Sequence, residues 1–296
     1  MRRRIRKPTR VSGPVMTRRQ LISGVTATLG LAGCERFDAM SWVTRERFDV
    51  DRRFQESTEE LTPPRTPALR DAMRWSALII GDLHFYGDEG NTHVEEVARY
   101  IRRDPVDFVF QVGDLADAGW PIEYEVGLET LEPLQVPIYN VLGNHDVYHE
   151  GWASYRRHCG PSVYTLRVGE VLFVVTDLAG ATLGGLQRPW LEEQLDACTA
   201  EHIIMLGHYP LWSPTDGGFS LIASEQEVYD ILDLIRTYGV AAHVSGHTHR
   251  WASTTDEGAG LYTVSALKEA SSDRCGLRVD IDDGELFFTR IPFDGD

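Results

Sequence analysis

From Trp75 onward, apolar and polar positions alternate in two rhythms. Short, nearly continuous apolar runs occur at Ser76–Gly81, Phe108–Gly113, Ile138–Gly143, Ile203–Leu206 and Ala241–Ser245. Such runs, bounded by glycine or polar residues, predict strands buried on both faces. Between them lie segments with helical spacing. In His93–Arg103 the residues Val94, Val97, Ala98 and Ile101 share one face, and Tyr124–Leu131, Leu186–Leu195 and Val228–Tyr238 follow the same rhythm. Val163–Val168 and Val171–Thr176 flank Gly169-Glu170 and predict a hairpin, while Tyr262–Ser265, Leu277–Ile281 and Glu285–Arg290 close the chain as further strands. Strands alternating with helices predict a layered α/β domain, and the hairpins make its sheets mixed.

Upstream the pattern breaks. Residues 35–60 are charged, with scattered Phe37, Trp42, Phe48 and Phe54 and neither Gly nor Pro, which predicts an amphipathic helix or a stalk. Three prolines between Leu61 and Pro67 stiffen the chain there and stop a helix. The expected division is therefore residues 1–33, a charged linker over 34–74, and a single domain over 75–296.

Composition narrows the class. The 296 residues are 42% hydrophobic and 25% charged, which suits a folded soluble protein and excludes global disorder and a multi-span membrane protein. With 29 Lys plus Arg against 45 Asp plus Glu, the net charge of -16 argues against nonspecific nucleic-acid binding, which needs cations against phosphate. Four cysteines are too few for a disulfide scaffold, and Cys159, Cys198 and Cys275 leave room for one pair. The front of the chain distorts the charge total: residues 1–33 carry eight cations and no anion, so the remainder stands at -24.

That front segment has the order of an export signal, with a basic stretch, a short apolar stretch and a small-residue exit. Its apolar run, Leu21 to Ala32, is about 12 residues, short of the roughly 20 that span a bilayer. Thr17-Arg18-Arg19-Gln20-Leu21-Ile22 resembles a twin-arginine signal, although the consensus favours Phe where Leu21 stands, and Leu31-Ala32-Gly33-Cys34 resembles a lipoprotein box. The resemblance implies export across the cytoplasmic membrane and a lipid anchor at Cys34, with the domain facing the periplasm or exterior.

Five polar clusters follow predicted strands: Asp82-Leu83-His84, Gly113-Asp114, Gly143-Asn144-His145-Asp146, Gly207-His208 and Gly246-His247-Thr248-His249. Ligands of open α/β sheets gather at the C-terminal ends of strands, so clusters far apart in sequence can converge. All ten histidines lie after residue 83, and five of them sit in these clusters. Carboxylate oxygen, imidazole nitrogen and amide oxygen are ligands for Zn, Mn or Fe ions. His93, His158, His202 and His243 fall outside the clusters and read as nonfunctional. The acidic groups Glu192-Glu193-Asp196 and Asp280-Asp282-Asp283-Glu285 read as solvated faces.

The ordered series D-x-H, G-D, G-N-H-D, G-H and G-H-x-H over residues 82–249 resembles the calcineurin-like metallophosphoesterase superfamily. The resemblance implies a four-layer α/β/β/α sandwich of two mixed sheets flanked by helices, and two divalent transition-metal ions (Mn, Fe or Zn). It places Asp82, His84 and His249 on one ion, Asn144, His208 and His247 on the other, and Asp114 between them. His145 would contact the phosphoryl group and protonate the leaving oxygen, with Asp146 orienting it. The implied activity is attack of metal-activated water or hydroxide on the phosphorus of a phosphate ester, a monoester slightly ahead of a diester. A phosphodiesterase acting on cyclic nucleotides, nucleotides or phospholipid head groups is the alternative, and a noncatalytic metal-bearing protein on the same fold is another. Gly207–Ser213 and Leu186–Leu195 resemble the purple acid phosphatase branch, the latter segment also cyclic-nucleotide phosphodiesterases. The purple enzymes, however, carry a ferric-ligating tyrosine where this chain has Asp117, and usually Glu where it has Asp146. His149, Tyr209 and Trp212 are expected either to line the substrate pocket or to pack in the core. Arg250 is expected to clamp phosphate or to form a surface ion pair.

Overall fold

A computed structural model describes residues 49–88, 93–212, 221–268 and 271–293. The basic front segment and Cys34 lie outside these residues. The first sheet has the order β11–β10–β1–β2–β3, from β1 (Arg74–Ile80), β2 (Phe108–Val112), β3 (Ile138–Val141), β10 (Cys275–Asp282) and β11 (Glu285–Pro292). The second has the order β4–β5–β6–β7–β9–β8, from β4 (Tyr164–Val168), β5 (Val171–Val175), β6 (His202–Leu206), β7 (Ala242–Ser245), β8 (Ala252–Asp256) and β9 (Ala259–Thr263). In the first sheet β1, β2 and β3 run parallel, with β10 antiparallel to β1 and to β11; in the second β5, β6, β7 and β9 run parallel between the antiparallel edge strands β4 and β8.

Alternation along the strands builds three cores. Ala77 and Ile79 of β1, with Phe110 of β2, face the second sheet and join Phe173, Leu206 and Val244 in one core. Leu78 and Ile80 face outward, onto α2 (His93–Arg103), α3 (Pro121–Leu131) and α4 (Trp152–His158). In β6, Ile204 and Leu206 point between the sheets while Ile203 and Met205 face α5 (Gly184–Asp196) and α6 (Glu225–Tyr238). Strands buried on both faces read as unbroken apolar runs. The result is the expected four layers, helices–sheet–sheet–helices.

The chain departs from expectation in front of the first strand. Residues 49–74, assigned to a stalk from their charge, belong to the same compact unit as the rest of the described chain. In α1 (Val50–Gln55) the Arg53 side chain is fully buried and pairs with buried Asp177 through Nε (2.7 Å) and Nη2 (3.0 Å). Phe54 meets Trp190 edge-on, Asp51 caps the Leu186 N–H of α5, and Glu56 accepts from Trp152 Nε1 and Arg156. Further on, the carbonyl of Arg65 accepts from the Tyr139 hydroxyl. The domain boundary therefore does not fall at residue 74 among the described residues, because specific partners bury the charges that suggested a stalk. β8 escaped prediction for the opposite reason: an edge strand reading Ala-Ser-Thr-Thr-Asp has no apolar run to announce it. Cys159, Cys198 and Cys275 are all free.

Candidate dinuclear metal site

The parallel strands β1, β2 and β3 end at one edge of the first sheet and β6 and β7 at one edge of the second, so all five polar clusters meet above the inter-sheet core. Two glycines make the meeting tight. A Cβ on Gly143 would collide with the backbone N and carboxylate of Asp114, and one on Gly246 with the carboxylate of Asp82. The motif glycines thus serve close approach between different motifs.

Two groups of ligand atoms form. Asp82, His84, Asp114 and His249 make one, and Asp114, His208 and His247 the other, each with its atoms within 4.8 Å of one another. Asp114 belongs to both. Its Oδ2 lies 3.6 Å from His84 Nε2 and 3.1 Å from His208 Nε2. The amide oxygen of Asn144 joins the second group, 3.0 Å from His208 Nε2 and 2.9 Å from His247 Nδ1. Its Nδ2 donates to the Tyr148 hydroxyl, which turns Oδ1 inward. All seven expected ligands are therefore together.

The residues present fit metal ions. His84 Nε2 and His249 Nε2 lie only 3.0 Å apart and aim at one point. The far nitrogen of His84 faces Asp117 Oδ1 at 3.0 Å, and that of His208 the Val112 carbonyl at 2.9 Å, so in each ring the inner nitrogen is the one turned toward an ion. Burial pushes Asp82 up to about 7, opposed by the charge of His208 and reinforced by Asp114. Burial also pushes His249 down to about 2. Burial works against charge on Asp114 and His208 as well, but each holds the other ionised: Asp114 falls well below the usual carboxylate range and His208 rises to about 9. Asp82 is thus left under-compensated by protein cations, the condition that bound cations relieve.

Asp146 has a different task from the one expected. Burial raises it to about 7 despite its hydrogen bonds, and its carboxylate accepts from the backbone N–H groups of Asp114, Ala116 and Gly143 at 2.9–3.0 Å. It ties the ends of β2 and β3 together, while the Nδ1 of His145 faces the carbonyl of Asp117. The ring of His145 lies beside that of His84, centroids 4.5 Å apart, with its side chain 25% exposed at the open side. Asp117 is the residue that motif reading missed as a support: its carboxylate holds His84 and its carbonyl holds His145. Its position three residues after Asp114 was visible, but its contacts were not.

Of the residues left open, Tyr209 is buried and stacks on His247 at 3.9 Å, so it packs and supports. Trp212 lines, with Leu211, Val228 and Leu261 and the polar Glu225, Thr254 and Asp256, a cavity of about 370 Å³ beside α6 that none of the seven ligands borders. Arg250 is exposed. His149 stands at the surface, stacked on Trp120.

This fold and this ligand set define a metal-dependent phosphoesterase with two divalent transition-metal ions as cofactors. The chain belongs to the calcineurin-like phosphoesterase family, whose model matches residues 76–251. It is similar to human tartrate-resistant acid phosphatase type 5, 25% identical over 244 residues that cover 68% of this chain and 73% of that one. It is also similar to a glycerophosphodiester phosphodiesterase of Enterobacter lignolyticus, 26% identical over 211 residues, covering 63% and 75%. Among solved structures, a purple acid phosphatase from yellow lupin superposes with a TM-score of 0.57 at 17% identity, over 78% of this chain and 54% of that one. A dimetal phosphatase from Danio rerio gives 0.56 at 14% identity, over 74% and 96%. These two likenesses speak for the fold.

Proposed function

We propose that the protein hydrolyses phosphate monoesters in preference to diesters. The observation that carries the reading is the Asp114 carboxylate shared between two ligand groups. The longer curated match, to an acid phosphatase, supports the monoester preference. Asp82, His84 and His249 would hold one ion and Asn144, His208 and His247 the other, with the Asp114 carboxylate in reach of both groups. Bound there, the ions would supply Lewis acidity toward a phosphoryl oxygen and toward a water nucleophile. His145 supplies the proton to the departing oxygen. With Nδ1 turned to the Asp117 carbonyl, its Nε2 is the nitrogen that would face substrate. Asp117 and Asp146 position, the first by gripping two imidazoles and the second by holding the loops that carry Asp114 and Asn144.

Metal analysis and a substrate panel test this together. The purified protein is expected to hold two equivalents of metal and to hydrolyse at least one monoester. Asp114→Ala is expected to hold less than one equivalent. His145→Ala is expected to keep both ions while losing about 100-fold or more on esters with poor leaving groups. Silence toward monoester, diester, nucleotide and phospholipid substrates with Mn, Zn or Fe bound would leave only the noncatalytic reading.

We further propose that the chain is exported by its twin-arginine-like segment and anchored through acylated Cys34. The basic front, the short apolar run and the small-residue exit support this. Unchanged membrane partitioning of the native product on Cys34→Ala would defeat the anchor.

A further inference from the structure

Seven large apolar side chains stand exposed among the described residues, and three of them, Tyr86, Trp120 and Ile122, lie on two loops and the first turn of α3 beside the site. One buried carboxylate joins those loops. Glu123 accepts the N–H of Gly87 at 3.2 Å through Oε1, and those of Ala118 and Trp120 at 2.9 and 3.1 Å through Oε2. The second loop also carries the groups that hold the open side of the site. The Asp117 carbonyl faces His145 Nδ1, and the next carbonyl, of Ala118, faces His149 Nδ1 at 3.0 Å. Consecutive residues are about 3.8 Å apart, so the two imidazoles hang from neighbouring peptide units.

On His149 lies the indole of Trp120, nearly parallel (18°) with centroids 4.4 Å apart. To place that imidazole the backbone turns left-handed at His149 (φ 48°) and Glu150 (φ 64°), a conformation disfavoured for residues with a side chain. An aromatic pair serving only stability gains by burying its rings. Here Trp120 remains 47% exposed. A braced aromatic pair, partly in water and attached to the peptide unit next to the one that grips His145, has the properties of a stacking surface for a planar ligand group.

We infer that Trp120, stacked on His149, is a specificity-determining platform for an aromatic ring on the alcohol side of the ester, an aryl or nucleobase group. The inference rests on the phosphoesterase reading and names its substrate class. The phosphoryl group occupies the ligand cluster beside His145 while the ring lies over the indole. Small alkyl esters gain nothing from the platform.

Binding of phosphonates, which cannot be hydrolysed, separates this claim from the catalytic one. Calorimetry on Mn²⁺-loaded protein compares methylphosphonate, phenylphosphonate and the phosphonate analogue of adenosine monophosphate. At least one aromatic compound is expected to bind about tenfold tighter than methylphosphonate, within the range of base–aromatic stacking. Trp120→Ala should erase that preference and Trp120→Phe restore most of it, a pattern that simple loss of folding does not produce. Whichever aromatic compound shows the preference identifies the ring source. Equal binding of all three by the unmodified protein, or a preference that survives in Trp120→Ala, overturns the inference. Absence of turnover would sink the hydrolase reading while these affinities still judged the platform.

Discussion

Asp82, His84, Asp114, His247 and His249 all sit at φ between 48° and 71°, so five of the seven proposed ligands use left-handed backbone. Each such residue costs on the order of 1–3 kcal/mol, sustained by surrounding bonds such as those from the His247 N–H to Asp82 and from the His145 N–H to Asp114. Residue types and spacing made the ligands legible in sequence, because metal chemistry restricts them to a few donors. The supports were not legible. Asp146 and Glu123 each gather three backbone N–H groups, a role any buried carboxylate can fill, and Asp117 looked only like the absence of a tyrosine. A residue outside the site carries a separate prediction. His243 is buried with no partner for Nε2, and burial lowers it from 6.5 to about 4. The unfolded imidazole takes up a proton below pH 6.5 and the folded one does not until about pH 4. Its contribution is thus intact above 6.5 and lost as pH falls through that window, by roughly 3 kcal/mol. His243→Phe should flatten the stability profile between pH 6.5 and 4; an unchanged slope in denaturant titrations would contradict the assignment.

At the level of elements, parallel strands and amphipathic helices were readable because burial on one face or two leaves a periodic trace. The segment ahead of β1 was not, since its charges looked solvated and the partner of Arg53 lies 124 residues away. Removing one member of a buried ion pair leaves the other uncompensated, which costs about 3–5 kcal/mol. Arg53→Ala in the whole chain should therefore lower the unfolding free energy by that order, because Asp177 is fully buried. Denaturant melts showing a loss below about 1 kcal/mol would demote the segment to a loosely held strap.

For the whole molecule, residues 75–296 carry 13 cations and 36 anions, an unpromising surface for collecting an anionic ester. The attraction must be local. Two divalent ions against the carboxylates of Asp82 and Asp114 leave a net positive centre recessed within an acidic exterior, and apolar walls concentrate such a field. Net charge in the sequence excluded a class of partner, while only the folded arrangement shows where charge of the opposite sign belongs.

The interlocking of the motifs has a genetic consequence. Because the backbone at Gly143 touches Asp114, and that at Gly246 touches Asp82, a methyl group at either glycine disturbs a ligand supplied by a different strand. Alleles altering those glycines should share the phenotypes of lesions in Asp114 and Asp82, and because neither carboxylate can be exchanged without losing a ligand, compensating changes at the distant partner should not arise.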